Sequence, residues 1–486
     1  MVRQPETALP DGGRYATAAG RIMARSAIQQ GAIADQRAGD AAAELGLRRT
    51  AALTAALGRP QDELSVVHVA GSKGKGSTAA FISSILVAGG VRTGRFTSPH
   101  LAKLTERIAI DERDIDDRLF AATADQVLAA ADALERDRPD LGPVNAFEVL
   151  FGMALVAFRE AGCRVAVVEV GIGGRLDTTN IVAPAVSVIT TLDLEHTAIL
   201  GDTLAEIATE KAGIIKPGRP VIVAPQPEEA MSVIRNRSAA MGSRLTLVDE
   251  RTAGSIPDGI GLTGRHQRVN AALAVAAVHE LGRWDHRLAV DEPAVRLGLS
   301  RAWLPGRFEI VPPAVVRRFT GLDPTQTIPG VVLDGAHTAK SAEALRVALD
   351  AADGRSNAVI AVCGLAGDKD IRAFLVALGP AGVLPVAAAS PRAVPAAGIA
   401  AVARDLGLSV LDGPDHVPDA LTWLLRSGGV VGPVVVTGSF AVVAEARTAF
   451  GLPAVRPGPP CLPGGVDSTD VQGEPFGDET NPADRP

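Results

Sequence analysis

Cysteine is nearly absent: Cys163, Cys363 and Cys461 lie far apart in 486 residues and form no C-x-x-C pair. That excludes a disulfide framework and a thiolate zinc site. Aromatic residues make up 3% of a chain that is 47% hydrophobic, so its cores are expected to be built from Val, Leu, Ile and Ala. A basic excess is missing too. Lys and Arg number 48 against 55 Asp and Glu, a formal net charge of −7. Nucleic-acid partners call for the opposite balance, so none is expected. No stretch reaches about 18 uncharged apolar residues, and the opening MVRQPETALPDGG has no apolar signal core. A soluble, cytoplasmic protein without a membrane partner is the expectation. The length is too great for one compact core and predicts two or three domains.

What is present is an alternation of apolar runs and helical stretches. LSVVHVA (64–70), RVAVVEV (164–170), AVSVITT (185–191) and RPVIVA (219–224) are rich in Val and Ile without clean alternation. Continuous runs of that kind suit strands buried on both faces of a parallel sheet. The charged stretch from Asp111 to Asp140 reads as exposed and helix-rich, and residues 311–330, rich in Pro and Gly, as a linker or an edge hairpin. The alternation restarts with GVVLDGAH (330–337), AVIAVCGL (358–365) and GPVVVTGS (432–439), which predicts a second, smaller doubly wound unit. The fold class expected is α/β. Residues 1–20 are expected to be a flexible N-terminus, and residues 456–486, acidic and rich in Pro and Gly, a disordered tail.

The stretch HVAGSKGKGSTAAF (68–81) follows the first of these runs. It is not the standard phosphate-loop string, because the first required Gly falls on Val69 and Gly76 separates Lys75 from Ser77. A strand, a glycine turn and a helix start still aim backbone N–H groups and the positive end of a helix at one point, which suits phosphate. Lys75 is placed to reach the β- and γ-phosphates, and Ser77 or Thr78 to meet a magnesium ion. The alternative is a plain turn in a chain with 51 glycines. Glu169 ends an apolar strand, where α/β sheets put their ligand-binding groups, and as a buried carboxylate it needs either a divalent cation or a salt bridge. GIGG (171–174) is no dinucleotide fingerprint, since the third glycine falls at Leu176.

These segments, with TSPHL (97–101), ERI (106–108), EVGIGGRLDTTN (169–180), DLEHTAILGDT (193–203), IATEKAGIIKPG (207–218), GRHQRVNAALA (264–274), LPGRFEI (304–310), LDGAH (333–337), GLAGDKD (364–370) and TGS (437–439), follow one another in a fixed order. Together they resemble the folylpolyglutamate synthase/dihydrofolate synthase branch of the Mur ligase family over roughly residues 45–450. In that family the extra glycine of the loop is the usual form. The resemblance implies a Mur-ligase-type ATPase domain with a mostly parallel sheet (21–308) and a smaller Rossmann-like glutamate-ligase domain (309–455).

The resemblance also implies site residues. Gly74, Lys75, Gly76, Ser77, Asn270, Arg307 and Asp334 are positions that hold ATP. Ser77 is expected at one Mg2+; Ser98, Glu169 and His196 are expected at a second, although a lone histidine is otherwise a satisfied structural residue. Lys211 matches a lysine that CO2 carbamylates, its plain alternative being a helix-surface lysine. Asn145, Ala146, Phe147 and Glu148, with Leu176, Asp177 and Thr178, fall where the pterin end of the substrate binds, and Ser439 on the substrate side. His337 is a candidate base or glutamate contact, and Lys75, Lys211 and His337 are the catalytic set.

The implied activity is ATP-dependent joining of L-glutamate to dihydropteroate or a reduced folate, in a monomer. Two departures bear on the acceptor: DGAHTA has Thr338 and Ala339 where the family commonly has Asn-Pro, and NAFEVLFGMA departs from the usual pterin-side motif. A Mur-type ligase of a UDP-muropeptide fits less well, since only about 60 residues precede the loop. A non-catalytic ATP-binding paralogue is the other alternative.

Overall fold

A computed structural model describes residues 11–26, 40–323, 326–353, 358–427 and 432–453. Two sheets organise them. The first contains β1 (Ser65–Ala70), β2 (Thr93–Phe96), β3 (Ile108–Ile110), β4 (Arg113–Asp114), β5 (Val165–Glu169), β6 (Val186–Ile189), β7 (Val221–Val223) and β8 (Leu245–Leu247). Their order is β4-β3-β2-β5-β1-β6-β7-β8. The six strands from β2 to β8 run parallel, and β3 and β4 extend the edge antiparallel.

The apolar runs explain the arrangement. β5, β6 and β7 are buried throughout, and β1 from Val66 onward. Side chains alternate across a strand, so the same run feeds two cores. Val66, Ala166 and Val168 join one cluster with Phe120, Phe151 and Phe158 from helices Asp117–Asp137 and Ala146–Glu160. Val67, Val69, Val165 and Val167 join the opposite cluster with Phe81, Ile85 and Leu273 from helices Lys75–Ala88 and Arg265–Trp284. Strands covered on both faces have no polar side to show, hence no alternation in their sequence.

The second sheet contains β9 (Glu309–Val311), β10 (Val331–Leu333), β11 (Ile360–Cys363), β12 (Gly382–Pro385), β13 (Ser409–Val410) and β14 (Val434–Thr437), in the order β13-β12-β11-β14-β10-β9. All pairs are parallel except β10 with β9. The α/β class, the mostly parallel first sheet and the smaller second unit are as the sequence implies.

Three expectations need correction. Residues 11–20 are not flexible: they open helix Asp11–Ala24, whose Ala18 and Ile22 are buried in the first core. The 111–140 stretch is helical, yet one face of its helix is buried through Phe120, Ala124, Val127 and Leu128. The 311–330 stretch joins β9 and β10, an antiparallel pair at the sheet edge as the hairpin alternative has it, but it also holds helix Pro313–Thr320; Pro at the first helical position is compatible with a helix because no N–H is needed there. Residues 1–10, Cys461 and the tail lie outside the described residues.

Candidate active site

A cavity of about 770 Å3 opens between the carboxyl ends of the two sheets. Twelve of the expected site residues line it: Gly74, Lys75, Gly76, Ser77, Ser98, Glu169, His196, Asn270, Arg307, Asp334, His337 and Ser439. They come from segments far apart in the chain.

The glycine loop forms the floor. β1 ends at Ala70, and Ser72 and Lys73 both donate their N–H to Thr191 O, at 3.0 and 3.1 Å. Gly74 then starts helix Lys75–Ala88 at φ +91°, and no side chain caps that helix. A Cβ on Gly74 would lie 2.4 Å from Asn270 Oδ1, so both the backbone angle and the packing require glycine. The first N–H groups of the helix are left for a ligand. Lys75 Nζ donates to Gly71 O (2.9 Å). Ser77 Oγ accepts from Gln267 Nε2 (3.3 Å), whose Oε1 accepts from Asn270 Nδ2 (2.9 Å).

Glu169 stands over this turn. Its Oε2 accepts from Ser98 N (3.0 Å) and comes to 3.4 Å of the position a Cβ on Gly76 would take. Burial raises its carboxyl pKa, against the pull of Lys75, the Ser98 N–H and Arg307. A buried carboxylate with one backbone partner, beside a hydroxyl-bearing helix start, fits a hydrated Mg2+. Among the described residues no three His, Cys, Asp or Glu side chains gather into a metal cluster. Hydroxyls, water and phosphate would therefore complete such a shell. His196 caps the short helix Thr197–Leu200 in a left-handed conformation, φ +49°, and burial lowers its pKa, which keeps the imidazole neutral as a metal ligand requires.

Lys211 does not line the cavity. It is no surface lysine: its side chain is 2% exposed, and Nζ donates to Gly71 O (2.9 Å) and Glu195 Oε1 (3.1 Å). Burial, then the neighbouring Lys75, push its pKa down to about 8, and Glu195 opposes them. Glu195 also faces Lys73 at 3.7 Å.

The far wall belongs to the second sheet. Asp334 Oδ2 accepts from Phe308 N (2.8 Å) and Oδ1 from Ala336 N (2.9 Å). Its burial raises the pKa, countered by Arg307, whose guanidinium lies 4.3 Å from the Phe440 ring centroid. His337 Nδ1 lies 2.8 Å from Gly335 O. A carbonyl only accepts, so Nδ1 carries the proton and Nε2 the lone pair. Burial pushes the pKa of His337 down to about 4. Ser439 Oγ caps helix Phe440–Phe450 by accepting from Val442 N (3.3 Å).

The NAFE and LDT residues stand behind the wall rather than in it. Asn145 caps helix Ala146–Glu160, and Glu148 pairs with Arg49 at 2.6 Å, both side chains almost fully buried. Asp177 Oδ1 accepts from Thr179 N (2.9 Å) and from the Thr179 hydroxyl; its Oδ2 accepts from Ile172 N (2.9 Å). Phe147 and Asp177 both press on Gly171, whose added Cβ would come within 2.7 Å of Phe147 Cζ and 3.1 Å of Asp177 Oδ2. Gly171 lines the cavity, so these residues shape it through that glycine. Leu176 and Thr178 are half-buried beside them.

Sequence reasoning missed Lys73, Glu195, His266, Lys340, Lys369 and Arg392, all lining the cavity. Lys73, Glu195, His266 and Lys369 lie inside motifs already singled out, and membership of those motifs was the available signal. Lys340 directly follows DGAHTA, which was signal enough, and Arg392 carried none.

No family model matches the chain. A dihydrofolate synthase/folylpolyglutamate synthase of Mycobacterium tuberculosis is 32% identical over 481 residues, covering 88% of this chain and 94% of that protein. A probable bifunctional folylpolyglutamate synthase/dihydropteroate synthase of Halobacterium salinarum is 35% identical over 425 residues, 83% of this chain; the chain spans about half of that relative's length, 49%. The solved structure of E. coli FolC in complex with DHPP and ADP matches with a TM-score of 0.69 at 30% identity, covering 83% of this chain and 93% of that one. The ordered motifs, the loop that leaves a helix start open, and the likeness to the Mycobacterium protein and the E. coli structure along nearly their whole length converge: the chain belongs to the folylpolyglutamate synthase/dihydrofolate synthase family of ATP-dependent ligases.

Proposed function

We propose that the protein joins L-glutamate to a pterin or folate carboxylate at the expense of ATP, through an acyl phosphate. The observation that carries this reading is the uncapped start of helix Lys75–Ala88, facing Glu169 and Arg307 across one cavity. The E. coli relative, solved with DHPP and ADP, supports the same pair of ligands here. The ATP-binding part is residues 21–308 and the glutamate-ligase part 309–455.

The loop amides, Lys75, Asn270, Arg307 and Asp334 bind the nucleotide. Ser77 would hold one Mg2+, and Glu169, Ser98 and His196 a second; bound there, the ions neutralise charge on the phosphate oxygens. The acceptor carboxylate attacks the γ-phosphorus, the bond to the bridging oxygen breaks, and ADP leaves. Lys75 and Arg307 stabilise the charge on the transferring group. The free amine of glutamate then attacks the acyl carbon, the carbon–oxygen bond to phosphate breaks, and the departing phosphate takes the amine's proton. Asn145, Ala146, Phe147 and Glu148, with Leu176, Asp177 and Thr178, set the pterin side through Gly171, and Ser439 with His337 meets the glutamate.

A pKa of about 4 makes His337 too weak a base to deprotonate an ammonium. Its Nε2 lone pair instead receives a hydrogen bond from the amine. Lys211 is suited to carbamylation because the neutral amine attacks CO2, losing one proton to give the carbamate, and a pKa of about 8 leaves neutral amine at physiological pH. The protein is a cytoplasmic monomer in this reading. Among the described residues no helix is long and apolar enough to cross a membrane.

The test is ADP release with ATP, Mg2+ and L-glutamate, offering dihydropteroate and tetrahydrofolate separately. Glutamate-dependent turnover is expected with at least one. Silence with both, alongside measurable ADP binding, would overturn the proposal.

A further inference from the structure

DGAHTA lacks Asn-Pro where the turn bearing His337 enters helix Ala339–Asp353. Asn is a strong helix cap and Pro fits the first helical position, so together they stiffen such an entry. Here Thr338 and Ala339 stand in those places; Thr338 Oγ1 still accepts from Ser341 N, and the Ser341 hydroxyl adds further contacts to the turn. Ser341 Oγ accepts from His337 N (3.0 Å) and from Thr338 N (2.9 Å). It lies 2.9 Å from Thr338 Oγ1 and donates to Thr338 O (2.9 Å), while Ser341 N donates to Thr338 Oγ1 (3.3 Å). One hydroxyl thus satisfies two backbone donors that precede the helix, and one of them belongs to His337. Ahead of it the turn is pinned by Asp334 and by Gly335 N donating to Gly306 O (2.9 Å). The His337 ring is held by Gly335 O and lies 5.8 Å from Phe440.

We infer that Ser341 is a positioning residue for the glutamate half-reaction: clasped with Thr338, it fixes the His337 backbone so that Nε2 meets the incoming amine. The inference rests on the reading of His337 as a glutamate contact. Ser341 lines the cavity, so a direct nucleotide contact is the rival role, and the two predict different losses.

The experiment measures KM for glutamate, kcat and ADP affinity in S341A and S341T, in S341A placed on the T338N/A339P background, and in H337A. Removing the hydroxyl unpairs two donors, so S341A is expected to raise the glutamate KM about tenfold, with kcat and ADP affinity within about twofold. S341T keeps the hydroxyl and the KM. On the T338N/A339P background an Asn cap accepts from N–H groups inside the helix and leaves the His337 N–H without its acceptor, so S341A is expected to raise the KM there about as much.

A KM loss that the T338N/A339P background abolishes overturns the inference, because stiffness of the helix entry and not the His337 N–H would then be what matters; a parallel loss of ADP binding overturns it too, putting Ser341 on the nucleotide. If H337A raises the glutamate KM while S341A does not, the inference alone fails. If H337A leaves that KM unchanged, the reading of His337 fails and takes the inference with it.

Discussion

Two helix starts face the same cavity and are finished in opposite ways. Helix Lys75–Ala88 begins at Gly74 with no side-chain cap. Helix Phe440–Phe450 begins at Ser439, whose hydroxyl accepts from its own third residue, Val442. An uncapped start leaves several N–H groups and half a positive charge unmet, a cost that an anionic ligand removes. A capped start is satisfied without a ligand, so what it offers is geometry. The comparison separates a helix start left open to an anion from one that holds side chains still.

The sharpest way to break the contrast is to give the first helix the cap it lacks. Gly74→Asp puts a carboxylate at the open N–H groups and a Cβ against Asn270; ADP affinity should fall about 1000-fold or more by calorimetry, on the scale of losing several oriented donors. ADP bound within tenfold of the parent would mean that the helix start is not the phosphate site. Lys75→Met leaves the amides in place and removes one cation, so kcat/KM should drop about 100-fold with Tm nearly unchanged.

Lys211 lies behind the loop, and as a free amine its burial acts on stability. Its folded pKa of about 8 is below the ordinary 10.5. Between those values the unfolded chain binds more protons, so this group makes stability rise with pH across that window; its burial penalty is complete below pH 8. Urea unfolding of Lys211→Met at several pH values should show a slope shallower than the parent's by up to about 1.4 kcal/mol per pH unit. Parallel slopes would contradict the shifted pKa. The smallest change is expected for Ser439→Ala, about 1 kcal/mol of stability from a lost cap, with ADP affinity intact.

The strands that carry the site were legible because burial on both faces leaves an unbroken apolar run, as in β1, β5 and β6. β2 (TGRF), β8 (LTL) and β12 (GVLP) were not, since three or four residues with a glycine or a threonine carry no periodic signal. Helix Pro313–Thr320 hid behind prolines that mark helix entry as readily as a loop. In the site, Glu169 and the glycine loop announce themselves because their neighbours in sequence are also their neighbours in space. Arg392 reaches the cavity only after the second sheet is set against the first, and nothing local encodes that. Asn145 and Glu148 show the reverse. A sequence motif pointed at ligand, while the folded chain uses their polar groups for a helix cap and a buried ion pair.

The cavity's lining has a consequence for how substrate arrives. Six cations, Lys73, Lys75, Arg307, Lys340, Lys369 and Arg392, face four carboxylates, Glu169, Glu195, Asp334 and Asp368. An excess of two positive charges is thus set into a chain whose net charge is −7. A polyanion approaching this net-negative molecule is drawn to that opening, and low-dielectric walls concentrate the field. Added salt shortens the reach of this attraction from about 30 Å at 0.01 M to about 8 Å at 0.15 M, so nucleotide capture becomes a short-range event in ordinary saline.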